Sequence, residues 1–154
     1  MNLLKCMIYL AVTGGLSFLL GRMIPKRMLK EDQFPFKNFA FEKDGKLYER
    51  IRIKEWQGKV PDMSRILPGV MPAKKLDGNY RENLPVMIKE TCVAEAIHIL
   101  LCFSGIYCVK IWPGIGGGMI AILYAMGNIP FILIQRYNRP RFKKLLRTSD
   151  RRGA

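Results

Sequence analysis

The sequence contains one histidine, and that scarcity excludes a great deal. A histidine-based metal centre needs further imidazoles or thiolates. The four cysteines, Cys6, Cys92, Cys102 and Cys108, have no zinc-site spacing and fall in or beside apolar stretches. They read as small apolar side chains rather than as disulfides or ligands. Glu95 and His98 form half of a di-iron carboxylate pattern, but the other half needs a second histidine and more glutamates from facing helices. No metal site is therefore expected without another subunit. Acid is also scarce: 12 Asp+Glu stand against 26 Lys+Arg, a net charge of +14. No helix-turn-helix, zinc-finger or RNA-binding signature accompanies that excess, so no nucleic-acid partner is expected. No small-x-small cleavage site follows the first apolar run, which ends in Gly21-Arg22-Met23-Ile24-Pro25. A retained anchor is expected there, not a signal peptide.

Charge itself is nearly missing from three stretches, 6–21, 92–111 and 114–134. Each approaches the ~20 residues a helix needs to cross the ~30 Å hydrocarbon layer. The expected fold is an all-α integral membrane protein, a single membrane domain over 1–154. Its three transmembrane helices lie at about 5–22, 90–111 and 114–135, the last two forming a hairpin broken at Pro113. A basic, partly amphipathic loop (23–89) and a tail (136–154) complete it. Sixteen of the basic residues lie from Arg22 to Lys89 and eight from Arg136 to Arg152, leaving Lys5 and Lys110 for the other side. The positive-inside rule then places loop and tail in the cytoplasm of a multi-pass cell-membrane protein. Basic flanks of this kind also contact anionic lipid headgroups.

Gly14, Gly15, Ser17 and Gly21 in the first span, and Gly116-Gly117-Gly118, Ala121 and Ala125 in the third, predict faces for close helix packing. In the loop, Phe34, Phe36, Phe39 and Phe41 precede Asp44-Gly45, a turn signal. The stretch 47–56 mixes rings and charges, as a segment in the headgroup layer would. Its periodicity fits a helix through Leu47, Tyr48, Ile51 and Glu55, or a strand through Ile51 and Ile53. Residues 60–83 carry Pro61, Pro68 and Pro72 and read as irregular loop. Pro85 suits the first turn of the second membrane helix.

The second span carries the chemistry. At about 100° per residue, Thr91, Glu95, His98 and Cys102 fall on one stripe that Gly105 extends. His98 lies about 10 Å beyond Thr91 along the helix. A carboxylate and an imidazole in lipid are costly, usually face protein or a wet cavity, and suggest a functional site. At i and i+3 they can touch, and a carboxylate accepting the ring N–H would prepare a general base for a hydroxyl nucleophile. The same pair is also what a purely structural link between helices would look like. In the third span, Tyr124, Asn128 and Gln135 recur on one side, and Pro130 frees the carbonyl of Met126. Arg136, Tyr137, Asn138, Arg139 and Arg141 follow. Three arginines so close together suit a phosphate or pyrophosphate clamp, and equally an interfacial anchor.

Three stretches are similar to the glycosyl-4,4'-diaponeurosporenoate acyltransferase family. They are Phe41-Glu42-Lys43-Asp44-Gly45-Lys46 leading to Lys54-Glu55-Trp56 and Lys59-Val60-Pro61-Asp62; 90–98 around Glu95 and His98; and Asn128-Ile129-Pro130 running into 135–141. The resemblance covers about 23 to 153 and departs at Ile99, where family members can carry an aromatic. It implies transfer of a fatty acyl group to a sugar hydroxyl on a glycosylated C30 carotenoid acid, the last step of staphyloxanthin-type synthesis. His98 would then be the catalytic base and Glu95 its orienting partner. Thr91, Trp56, Asn128, Gln135, Arg136, Tyr137, Asn138, Arg139 and Arg141 would contact acceptor or donor. Acyl-CoA or a similar activated donor would be a co-substrate, with no bound cofactor. Membrane lipids and a glycolipid acceptor are the expected partners, with room for a homo-oligomer or pathway enzymes around so thin a wall of helices. A non-catalytic lipid-binding or scaffolding subunit is the alternative.

Overall fold

The computed structural model describes residues 1–60 and 80–152; of the irregular loop expected over 60–83, residues 61–79 lie outside them, and 80–83 are helical instead. Helices are the regular secondary structure of the described residues, which contain no strand. Helix α1 is Asn2–Met23, α2 Lys46–Arg50, α3 Ile53–Trp56, α4 Tyr80–Gly105, α5 Cys108–Ile111 and α6 Ile115–Arg152. Single 3₁₀ segments occupy Lys26–Met28, Ala40–Gly45 and Gln57–Lys59. Three helical stretches, Asn2–Met23, Glu82–Ile111 and Ile115–Arg151, are long and apolar enough to cross a membrane. The molecule is an all-helical integral membrane protein, as expected.

Boundaries moved for local reasons. The second span begins at Tyr80, so Pro85 lies in its second turn rather than its first. It is also not continuous to 111. The chain leaves the helix at Gly105, turns through Ile106 and Tyr107, and re-forms one turn at Cys108. The tail does not leave the third span: α6 runs unbroken through Pro130 and Pro140. Pro140 has no N–H for the carbonyl of Arg136 four residues earlier. Asn38 supplies the missing donor, its Nδ2 lying 3.1 Å from that oxygen. The ambiguous stretch 47–56 is helical in two pieces, α2 and α3, parted by Arg52 at φ 55°. The Asp44-Gly45 turn is real: Lys43, Asp44 and Gly45 are all left-handed, at φ 48°, 53° and 92°. A non-glycine residue there costs about 1–2 kcal/mol, so something must hold the turn in place.

The chain divides into two compact units, 1–29 with 93–132, and 30–92 with 133–154. In the first, α1 buries only Cys6, Leu10 and Ser17, and the rest of its apolar surface is exposed, as lipid contact requires. Cys6, Leu10 and Cys108 form a core flanked by Tyr9, Trp112, Ile120 and Tyr124. The Tyr9 hydroxyl donates to the Ser104 carbonyl at 3.1 Å. The small residues divide unevenly. A Cβ on Gly21 would stand 3.2 Å from Ile97, and one on Gly105 2.9 Å from the Tyr124 ring, so both mark close helix approach. Gly117 packs on its own hairpin, where a Cβ would lie 2.2 Å from the Trp112 carbonyl oxygen. Gly14, Gly15 and Gly118 have nothing within 4 Å, contrary to the packing face expected of them. A stripe of small residues allows close approach without requiring it.

In the second unit, Tyr48, Ile53 and Tyr137 make the apolar core, joined by Trp56, Leu133 and Ile134. Lys89 of α4 pairs with Glu31, and Lys143 of α6 reaches Asp32 at 2.7 Å.

Candidate functional site

Within the first unit, α4 and α6 are antiparallel, with Cys102 meeting the Ala125 carbonyl and His98 meeting Asn128. The His98 Nδ1 lies 2.8 Å from Asn128 Oδ1. Asn128 in turn donates its Nδ2 to the Tyr124 carbonyl one turn back, at 2.8 Å. With the amide nitrogen so occupied, the oxygen faces the ring, and an oxygen can only accept. The proton of a neutral imidazole therefore sits on Nδ1, which leaves Nε2 as the basic nitrogen. Phe131 stacks on the other flank of the ring, with centroids 4.4 Å apart and planes 10° from parallel. Orientation and tautomer are thus set by groups from α6. Glu95, three residues before His98 on α4, is fully buried.

The second unit holds a denser polar cluster. Arg136 grips Glu42 with two parallel bonds, Nε to Oε1 at 2.6 Å and Nη2 to Oε2 at 2.9 Å. The backbone N–H of Phe39 and the hydroxyl of Tyr48 donate to the same carboxylate. Four donors meet its lone pairs, which is what a buried carboxylate requires. Burial raises the Glu42 pKa, but the bonds from Arg136, Tyr48 and Phe39 outweigh it and hold the carboxyl below its usual range. Burial, together with the neighbouring Glu42 carboxylate, pushes the Tyr48 phenol well above its usual value. The remaining Arg136 donors reach the carbonyls of Pro35 and Lys37. Arg139 is only 1% exposed and holds Thr91 twice, Nε to Oγ1 at 2.9 Å and Nη2 to the carbonyl at 3.1 Å. Its Nη1 reaches the Phe36 carbonyl.

The residues singled out in the sequence are therefore gathered in a different grouping. His98 meets Asn128, and Thr91 meets Arg139. Arg136 and Arg139 spend their donors inward, on one acid, one threonine and the loop carbonyls of residues 35–37. Arg141 is exposed, its guanidinium 4.8 Å from the Tyr137 ring centroid. Gln135 is buried and Asn138 half-buried. Trp56 donates its indole N–H to the Ile51 carbonyl at 2.9 Å and packs on the Tyr48–Tyr137 core. Tyr137 is buried, and its hydroxyl has no hydrogen-bond partner among the described residues. Sequence reasoning missed Glu42 and Phe131. Glu42 stood inside a stretch already noted for its turn, and its partner Arg136 lies 94 residues away, so the sequence carried no local signal of the pair. Phe131 lies three residues past Asn128, and nothing in the sequence distinguishes it from the other rings.

Fold and site together define an integral membrane protein that carries a hydrogen-bonded imidazole on a helix apolar enough to cross a membrane. The chain belongs to the glycosyl-4,4'-diaponeurosporenoate acyltransferase family, whose model matches residues 26–148. Relatives of that name from Staphylococcus aureus strains N315 and USA300 are each 34% identical over 142 residues, covering 87% of this chain and 81% of theirs. No solved structure matches the chain. The family makes this protein an acyltransferase.

Proposed function

We propose that the protein transfers a fatty acyl group from an activated donor of the acyl-CoA type to a sugar hydroxyl on a membrane-dissolved glycolipid. By the name of its relatives, that acceptor is a glycosylated C30 carotenoid acid. The observation that carries the reading is the His98–Asn128 hydrogen bond at 2.8 Å, which prepares Nε2 as a base in a membrane helix. In the step, the sugar O–H breaks and its proton passes to Nε2 as the oxygen bonds to the acyl carbonyl carbon. The bond to the donor then breaks, and the imidazolium returns its proton to the leaving group. Glu95, buried on the same helix, is proposed to stabilise the imidazolium formed in between. Arg136 and Arg139 act through the loop they hold, and Arg141 and Asn138 are proposed to face the donor. No bound cofactor enters the step. The loop and tail are proposed to face the cytoplasm.

The test is mass spectrometry of membrane lipids from cells expressing the wild type, His98→Ala, or neither. A glycolipid heavier by one fatty acyl group is expected only with the wild type. A general base accounts for roughly 10²–10⁴ in rate, so His98→Ala should leave a trace at most while still accumulating in the membrane. Identical profiles in all three, with the protein present, would favour a non-catalytic lipid-binding or scaffolding subunit.

A further inference from the structure

The second unit contains many cations, and the structure sorts them. Arg136, Arg139, Lys89, Lys143, Lys54 and Arg52 are each engaged by an acid or by hydroxyl and carbonyl oxygens. Lys43, Lys46 and Arg50 are exposed and, among the described residues, make neither an ion pair nor a side-chain hydrogen bond. Those three line one surface cavity of about 250 Å³, completed by Phe41 and Leu47. A neighbouring cavity of similar size, at Phe34, Lys37, Asn38, Phe39 and Ala40, carries a single cation.

The platform beneath the three cations is rigid. The turn from Lys43 to Gly45 has three successive left-handed residues, a costly conformation found where surroundings impose it. Glu42 precedes the turn, and Tyr48 follows Leu47. Both side chains are buried, bonded to each other and locked by Arg136. A Cβ on Gly45 would stand 3.3 Å from the Tyr137 carbonyl oxygen, so the turn is also pressed against α6. A buried ion pair thus holds the turn that carries Lys43, directly before the helix that carries Lys46 and Arg50. Asp44 is the acid within the turn, and Glu49 is drawn to Lys54 at 2.9 Å. Positive charge prevails at the cavity mouth.

We infer that Lys43, Lys46 and Arg50 form a binding site for a phosphate-bearing ligand, with Phe41 and Leu47 contacting its apolar part. Three exposed cations lining one surface cavity are what a phosphate group recognises. Two sources share that chemistry: the headgroup of an anionic phospholipid, and a soluble phosphate ester such as the carrier part of an activated acyl donor.

The full chain, purified in detergent, is titrated with inorganic pyrophosphate and with coenzyme A. In parallel, its heat resistance is measured in nanodiscs of phosphatidylcholine alone and mixed with phosphatidylglycerol. The variants are the triple K43Q/K46Q/R50Q and, as a control, Lys144→Gln, an exposed cation outside the cavity lining. If the ligand is soluble, the triple variant should bind pyrophosphate and coenzyme A about tenfold or more weakly, and added salt should weaken the wild type toward it. If the ligand is a headgroup, phosphatidylglycerol should protect the wild type but not the triple variant. Lys144→Gln should match the wild type in both arms. The site is ruled out if neither probe engages the wild type, or if the correctly folded triple variant matches the wild type with both. Neither arm depends on turnover, so the result is separable from that of the lipid profiles.

Discussion

At the residue scale, Glu42 is the acid on which the polar cluster turns. It was legible only as part of a similar stretch, because a carboxylate in a basic loop looks solvated until the fold brings Arg136 to it. Removing one side of a buried pair strands the other charge at a cost of about 3–5 kcal/mol. Glu42→Ala should therefore markedly lower the temperature at which the protein loses its folded, monodisperse form in detergent. The pair also sets a pH dependence. The folded Glu42 pKa lies below the unfolded value of about 4.3. Its stabilisation is thus complete above that pH and is lost as pH falls through the folded value. Glu42→Gln should be less stable at neutral pH and show a shallower decline on acidification below about pH 4. An unchanged acid profile would remove Glu42 from the account. His98 was legible in the sequence as the one imidazole in a span, and so was its neighbour Glu95. The partner that sets its tautomer was not, because Asn128 lies 30 residues away and only antiparallel packing brings it within 2.8 Å.

At the element scale, apolar length revealed three spanning helices, while their ends depended on packing. The second span stops at Gly105 and the third continues into the tail. The tail's Leu, Lys and Arg are good helix formers, and Asn38 satisfies the carbonyl that Pro140 frees. Composition alone could not show that partner. Glycine makes the same point from the other direction. Gly14 has open space around it, so Gly14→Ala should be neutral or stabilising by up to about 1 kcal/mol. Gly117→Ala would drive a methyl to 2.2 Å from the Trp112 carbonyl oxygen and should disrupt the hairpin. Comparing the heat resistance of the two variants in detergent checks both expectations. Equal effects would mean that the hairpin contact does not constrain the helix.

At the scale of the whole molecule, charge placement specifies topology. The proposed topology, three crossings with the basic loop and tail on one side and Lys5 and Lys110 on the other, rests on that placement. Single cysteines at Lys37 and Lys144, in a variant otherwise free of cysteine, should resist a membrane-impermeant maleimide in intact cells. They should react once the membrane is opened, while one at the exposed Lys110 should react in both. Labelling at Lys37 in intact cells would invert the assignment. What the linear sequence settled is what depends on composition along the chain: a membrane protein, its three apolar spans, and a lone histidine inside one of them. The fold settled what depends on residues distant in sequence. Asn128 and Phe131 orient His98, and two tail arginines are spent inside the protein on Glu42, Thr91 and loop carbonyls. Lys43, Lys46 and Arg50 stay exposed around one surface cavity. Hydropathy and charge are summed locally, residue by residue, whereas a buried hydrogen bond needs both partners in place, and only packing decides which pair will meet.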